Sequence, residues 1–145
     1  MTRFYAIDEA NAAIPDVERI LIALRDQRED LITYRDRAIG LTPEDGEAAE
    51  EAAEELRRIR LRMQGLIDQM QAGVARLVEI DVTLRDIKTG LIDFPALLAG
   101  RPIWLCWRLG EPDVQHWHAH DEGFSSRRPL DELPTGAAPG SGSPA

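Results

Sequence analysis

Between about residue 8 and residue 78 the sequence reads as two long helices with one short break, and that length limits what the rest of the chain can build. From Val17, the apolar residues Val17, Ile20, Leu21, Leu24, Leu31, Tyr34 and Ala38 recur at three- and four-residue intervals, interrupted at Gln27. This is the stripe of an amphipathic helix over about 8–39. Pro15 lacks a backbone donor, so a short turn before it or a kink is expected, and Gly40 ends the helix. Thr42-Pro43-Glu44-Asp45 supplies a hydroxyl cap, a proline at the first helical position and acids in the first turn, predicting a second helix over about 43–78. Its stripe, Ala52, Leu56, Ile59, Met63, Leu66, Met70, Gly73 and Leu77, is close to a heptad. At ~1.5 Å per residue such a helix is ~50 Å long, more than the width of a small domain. It must lie along an equally long neighbour or protrude.

Charge favours an antiparallel hairpin. The acidic opening of the second helix, Glu44 to Glu55, would lie beside Arg35 and Arg37, and Arg57, Arg58, Arg60 and Arg62 would approach Asp26, Glu29 and Asp30. Exposed pairs contribute only ~0.2–1 kcal/mol each, so they select orientation more than they stabilise. Residues 44 to 55 are then the distal tip, with little burial. A narrow stripe on long helices leaves a second face free, which predicts a homo-oligomer or a protein partner bound through the helices. Leu24, Leu31, Leu56 and Met63 would be divided between the two seams.

After Glu79 the texture becomes that of strands. Val82 to Leu84 alternates as a short strand, Gly90 to Pro95 reads as a loop with apolar anchors, and Ala96 to Gly100 as at most one helical turn. Ile103 to Leu109 and Val114 to His120 flank Gly110-Glu111-Pro112-Asp113 and predict a β-hairpin over about 103–120. If Gly110 and Asp113 close it, Trp107 faces His116, Leu105 faces His118 and Ile103 faces His120. The expected fold is α+β: a long antiparallel helical hairpin packed on a small antiparallel β-hairpin or three-stranded sheet, one domain over 1–133. Residues 134–145 are Pro, Thr, Gly, Ala and Ser only, and a disordered tail is expected there.

Composition removes several function classes. A net charge of −9 disfavours nucleic acid and anionic membranes. Cys106 is the only cysteine, so neither an intrachain disulfide nor a thiolate cage for zinc can form, which fits a reducing, cytoplasmic setting. No signal-peptide stretch opens the sequence, no apolar run spans a bilayer, and phosphate loops, Ser/His/Asp order and paired CxxC are absent.

Chemistry can concentrate in one place. The chain's three histidines alternate in His116-Trp117-His118-Ala119-His120, followed by Asp121 and Glu122. On a strand, a period of two places the imidazoles on one face. Two readings follow: a non-catalytic helical interaction module, or a small metal-binding protein or metalloenzyme using Fe, Mn or Zn. For the second, the ligands are expected to be His118, Glu122 and Glu9, in that order, with Asp93, Arg108, His116 and His120 as further candidates. Asp93, between Ile92 and Phe94, needs a donor such as Arg108 or Arg127. Cys106, between two tryptophans, reads as a small buried hydrophobe.

Four segments also carry a resemblance. Tyr5-x-x-Asp8-Glu9-Ala10-Asn11-x-x-x-Pro15, Gly90 to Pro95, Leu105 to Glu111, and Trp117-His118-x-x-x-Glu122-Gly123-Phe124-x-x-Arg127 occur in the order of a bacterial family, domain-of-unknown-function family 2203. The resemblance covers roughly Phe4 to Leu130 and implies a family, not an activity. Relatives read Tyr-Trp-His-Glu at positions 116–119, so the resemblance singles out His118. It also implies a small hydroxyl cap where this chain has Ala6. His118 is therefore expected to be the most buried of the three, with a ring nitrogen near a carboxylate of Glu122 or Glu9.

Overall fold

The computed structural model describes residues 3–41 and 46–132. The predicted cap and helix start at Thr42 and Pro43, and the predicted tail over 134–145, lie outside the described residues. Two helices, α1 (Ile7–Gly40) and α2 (Glu47–Glu79), precede five strands: β1 (Thr83–Asp86), β2 (Leu91–Leu98), β3 (Arg101–Arg108), β4 (His116–Ala119) and β5 (Arg128–Pro129). The strands form one antiparallel meander in the order β1-β2-β3-β4-β5.

The helices are antiparallel: Gln27 bonds Gln69, and Arg37 bonds Glu55 at 2.8 Å, as the charge pattern predicts. Arg58 instead pairs within its own helix, with Glu54 and Glu55. Gly73 lets the helices approach, since a Cβ there would sit 3.1 Å from Leu24 Cδ2. α1 runs unbroken through Pro15, which lies on the exposed side where water can serve the carbonyl that proline leaves unpaired.

Burial is unequal along the hairpin. Ala10, Ile14, Val17, Ile20, Leu21 and Leu24 of α1 and Leu77 of α2 pack on Ile92, Phe94, Ala96, Ile103, Leu105, Trp107 and Trp117 of the sheet. Beyond Leu24 the hairpin is a projecting two-helix arm whose fully buried residue is Ile59, and the described part of the tip, from Gly46, is mostly exposed. Among the described residues no helix is long and apolar enough to cross a membrane.

The sheet is larger than the sequence reading. β1 falls close to the expected third strand, but Gly90 to Pro95 is not a loop, nor Ala96 to Gly100 a helical turn; together they supply β2 and its hairpin turn. Pro95 is tolerated because β1 pairs only with Leu91 to Asp93, leaving Pro95 on an edge where Tyr5 N–H donates to its carbonyl at 2.7 Å. The turn to β3 is Ala99-Gly100, both at positive φ (51° and 79°), the geometry of a two-residue primed hairpin.

The β3–β4 register is also one residue from the expected one. Cys106 pairs with His116, Leu105 with Trp117, Trp104 with His118 and Ile103 with Ala119. The long connection is held by local and distant bonds: Trp107 Nε1–H donates to the Glu111 carbonyl at 3.0 Å, Arg108 N–H to the Glu111 carboxylate at 2.7 Å, and Val114 N–H to Asn11 Oδ1 of α1 at 2.8 Å. A one-residue slip moves every side chain of a strand to the other face. His116 and His118 therefore leave the helix-covered face and join Trp104 and Cys106.

Candidate functional site

Alternation along three adjacent strands brings Asp93 of β2, Cys106 of β3 and His118 of β4 together on the sheet face turned away from the helices. All three are buried, His118 and Asp93 at 2% exposure. His118 Nε2 lies 3.1 and 3.0 Å from the two Asp93 carboxylate oxygens, and Arg85 Nε donates to Asp93 Oδ2 at 2.8 Å. Arg85 is the unpaired residue of a bulge between Leu84 and Asp86, and its guanidinium lies over the Trp104 ring. His118 Nδ1 donates to the Ala119 carbonyl at 3.0 Å, which fixes that nitrogen as N–H and turns Nε2 toward the carboxylate.

A second pair closes the other side. Arg127 makes a bidentate bond to Glu111, both contacts 3.1 Å, and its Nη1 reaches Cys106 Sγ at 3.9 Å. Burial first, and then the Asp93 carboxylate, push the Cys106 thiol up to about 11 against the opposing effect of Arg127. Cys106 is thus a protonated, buried thiol at neutral pH, without the properties of a nucleophile.

The expected site residues separate. His118 is the most buried histidine and does face a carboxylate, but the carboxylate is that of Asp93. Glu9 Oε1 accepts from Ala6 N–H at 2.9 Å, so it serves the start of α1, and it lies near Arg3; Ala6 itself gives no side-chain cap. Glu122 receives Arg128 at 2.9 Å and the Ala119 N–H at 3.4 Å, closing the end of β4. Asp93 is salt-bridged, by Arg85 in place of Arg108 or Arg127. Arg108 is exposed and points its guanidinium toward the Phe124 ring. His116 Nδ1 sits 3.5 Å from Glu111 without a directed hydrogen bond, and His120 stacks on Trp104 at 4.9 Å. Among the described residues, the group of His, Cys and acidic side chains close enough to share an ion is Asp93, Cys106 and His118.

The sequence pattern marks neither Arg85 nor Glu111 as a site residue, and it presents Cys106 as a hydrophobe and not as a ligand. The available signal was the spacing itself: in the correct register, His116 falls opposite Cys106 and His118 opposite Trp104.

A different surface runs along α2 from the arm to its base. Leu31 of α1, Ile67, Met70, Gln71, Val74, Ala75, Val78 and Glu79 of α2, and Ile87 line an open, almost wholly apolar groove of about 720 Å³. Val78 is 64% exposed, high for an aliphatic side chain. Ile67, Gln71, Val74 and Val78 follow a four-three-four spacing, a second helical stripe beside the one used against α1.

The family described as uncharacterized conserved protein (DUF2203) matches residues 3–130. No curated protein and no solved structure matches the chain.

Proposed function

The chain belongs to domain-of-unknown-function family 2203, and because membership brings no activity with it, we propose from the geometry a non-catalytic interaction module that pairs with a second copy of itself through the helical arm. The observation that carries this reading is the apolar groove along α2, whose 67-71-74-78 spacing is that of a helix seam while the α1 seam is already satisfied elsewhere.

Charge at the groove's ends supports a second copy as the occupant. Arg60 lies one heptad before Ile67 on the same stripe of α2 and sets a cation beyond the distal end, where Arg35, one turn beyond Leu31 on α1, is paired with Asp36 at 3.1 Å. Glu79 closes the other end. A two-fold antiparallel contact sets the basic end of one arm toward the acidic end of the other and buries the same apolar patch on both copies. The overall −9 charge disfavours an anionic polymer or lipid in the same place.

Sedimentation velocity over a range of micromolar concentrations tests this. The protein should sediment as a dimer, and Val78→Glu, at an exposed position, should weaken association at least ~10-fold, equivalent to ~1.4 kcal/mol, with an unchanged far-ultraviolet circular dichroism spectrum showing that the fold is kept. A strict monomer at high micromolar concentration refutes the reading.

A further inference from the structure

We propose that Asp93, Cys106 and His118 form a divalent metal site of the zinc class. It is independent of the arm and lies on the opposite side of the sheet from the helices. The first argument is the orientation of the histidine. With Nδ1 placed on the Ala119 carbonyl, Nε2 is aimed at both Asp93 oxygens at 3.0–3.1 Å. Such a contact is attractive only when a proton or a metal ion lies between the two groups.

The second argument is the donor set. Imidazole nitrogen, carboxylate oxygen and cysteine sulfur all lie within 4.8 Å of one another. A tetrahedral zinc ion with bonds of ~2.0–2.3 Å holds its ligand atoms roughly 3.3–3.8 Å apart, so shifts of about 1 Å or less close the site around it. The sulfur narrows the expected Fe, Mn or Zn to zinc, because a single soft donor beside nitrogen and oxygen suits that borderline ion better than hard manganese.

The third is the surrounding shell. Nδ1 is anchored on a carbonyl, Asp93 Oδ2 is held by Arg85 while Oδ1 has no hydrogen-bond partner beyond His118 among the described residues, and Arg127 stands 3.9 Å from Cys106 Sγ. These contacts orient all three donors from behind. Charge also balances. A Zn²⁺ ion displaces the thiol proton of Cys106 and the proton between His118 and Asp93, two protons leave, and the net charge of the cluster is unchanged. Three protein ligands leave a fourth position open for water or a small anion.

The test uses the full chain, freed of metal by dialysis against a chelator and titrated with Co²⁺ and then Zn²⁺. One Co²⁺ per chain should bind with tetrahedral visible bands and a thiolate-to-cobalt charge-transfer band in the near ultraviolet, both bleached by Zn²⁺. Cys106→Ser should lose the charge-transfer band, His118→Ala should weaken binding at least ~10-fold, and His120→Ala should leave the titration unchanged. Absence of a bound ion, or a cobalt spectrum without the thiolate band, overturns the proposal. Because the spectrum of the unaltered chain decides the matter, a variant that fails to fold does not obscure it.

Discussion

Truncating Asp93 to alanine removes the centre of the buried polar layer, and the cost can be worked from its partners. Arg85 is 40% exposed and can turn to water, so its share is that of a surface pair, ~0–1 kcal/mol. His118 has no such escape: at 2% exposure its Nε2 is left without a partner, at ~1–3 kcal/mol for a stranded buried group. The loss of side-chain packing adds a small further term, giving about 3 kcal/mol in total. Asp93→Asn separates charge from shape. The amide oxygen can still accept from Arg85 and the amide N–H can donate to the lone pair of His118 Nε2, so the expected cost is only about 1 kcal/mol. Urea unfolding of the chelator-treated protein at neutral pH, followed by tryptophan fluorescence, is the suitable assay. All three tryptophans lie on β3 and β4 and report the sheet, not the arm. Equal destabilisation by the two substitutions, or a cost below ~1 kcal/mol for Asp93→Ala, would show that the layer is not held by this hydrogen bonding.

Gly90→Ala should destabilise by at least ~1–2 kcal/mol in the same assay, because φ is +70° and an added Cβ would meet Leu109 Cβ at 2.5 Å; a neutral effect would refute that close approach. Tyr5→Phe should cost ~1 kcal/mol at neutral pH, since the hydroxyl donates to the Ile80 carbonyl at 2.6 Å and ties the N-terminal segment to the end of α2. Burial raises the Tyr5 hydroxyl above its ordinary value of 10.0. The unfolded chain therefore loses that proton first, and native stability falls as pH climbs past 10. The gap between wild type and Tyr5→Phe should narrow on raising the pH from 9 to 11, and a gap that widens would contradict the sign.

The legible parts of the fold were those fixed by long periodicity. The stripe from Ile20 to Leu24 and the heptad through Gly73 to Leu77 repeat over enough turns that only a long helical pair accommodates them, and the Arg37–Glu55 contact gives the orientation read from charge. β2 was hidden by proline. Pro95 argues against a strand in the sequence, and only the early end of β1 shows why it is tolerated. Ala99-Gly100 was equally silent, because its first residue adopts positive φ without the asparagine or aspartate that ordinarily announces such a turn.

The candidate site depended on a single residue of register. Spacing made the three histidines equivalent, the resemblance singled out His118, and the structure buries His118 as expected but on the opposite face from the one predicted. Local sequence cannot fix that choice. Leu105, Trp107 and Trp117 against Trp104, Cys106 and His118 is an alternation of two faces that both carry large side chains, so the polar–apolar contrast that normally sets register is weak. The deciding contacts come from distant residues: Asn11 on α1 holds Val114 and Gly90 holds Leu109, fixing the connection at both ends. Once the register is fixed, Asp93, which the sequence marks only as an acid between apolar neighbours, becomes the partner of His118 across the intervening β3. The same step carries Cys106 from an expected place among the hydrophobes to within ligand distance of both. The chemistry of this chain is therefore a consequence of strand pairing, and the substitutions at Asp93 and Cys106 test the pairing and the site together.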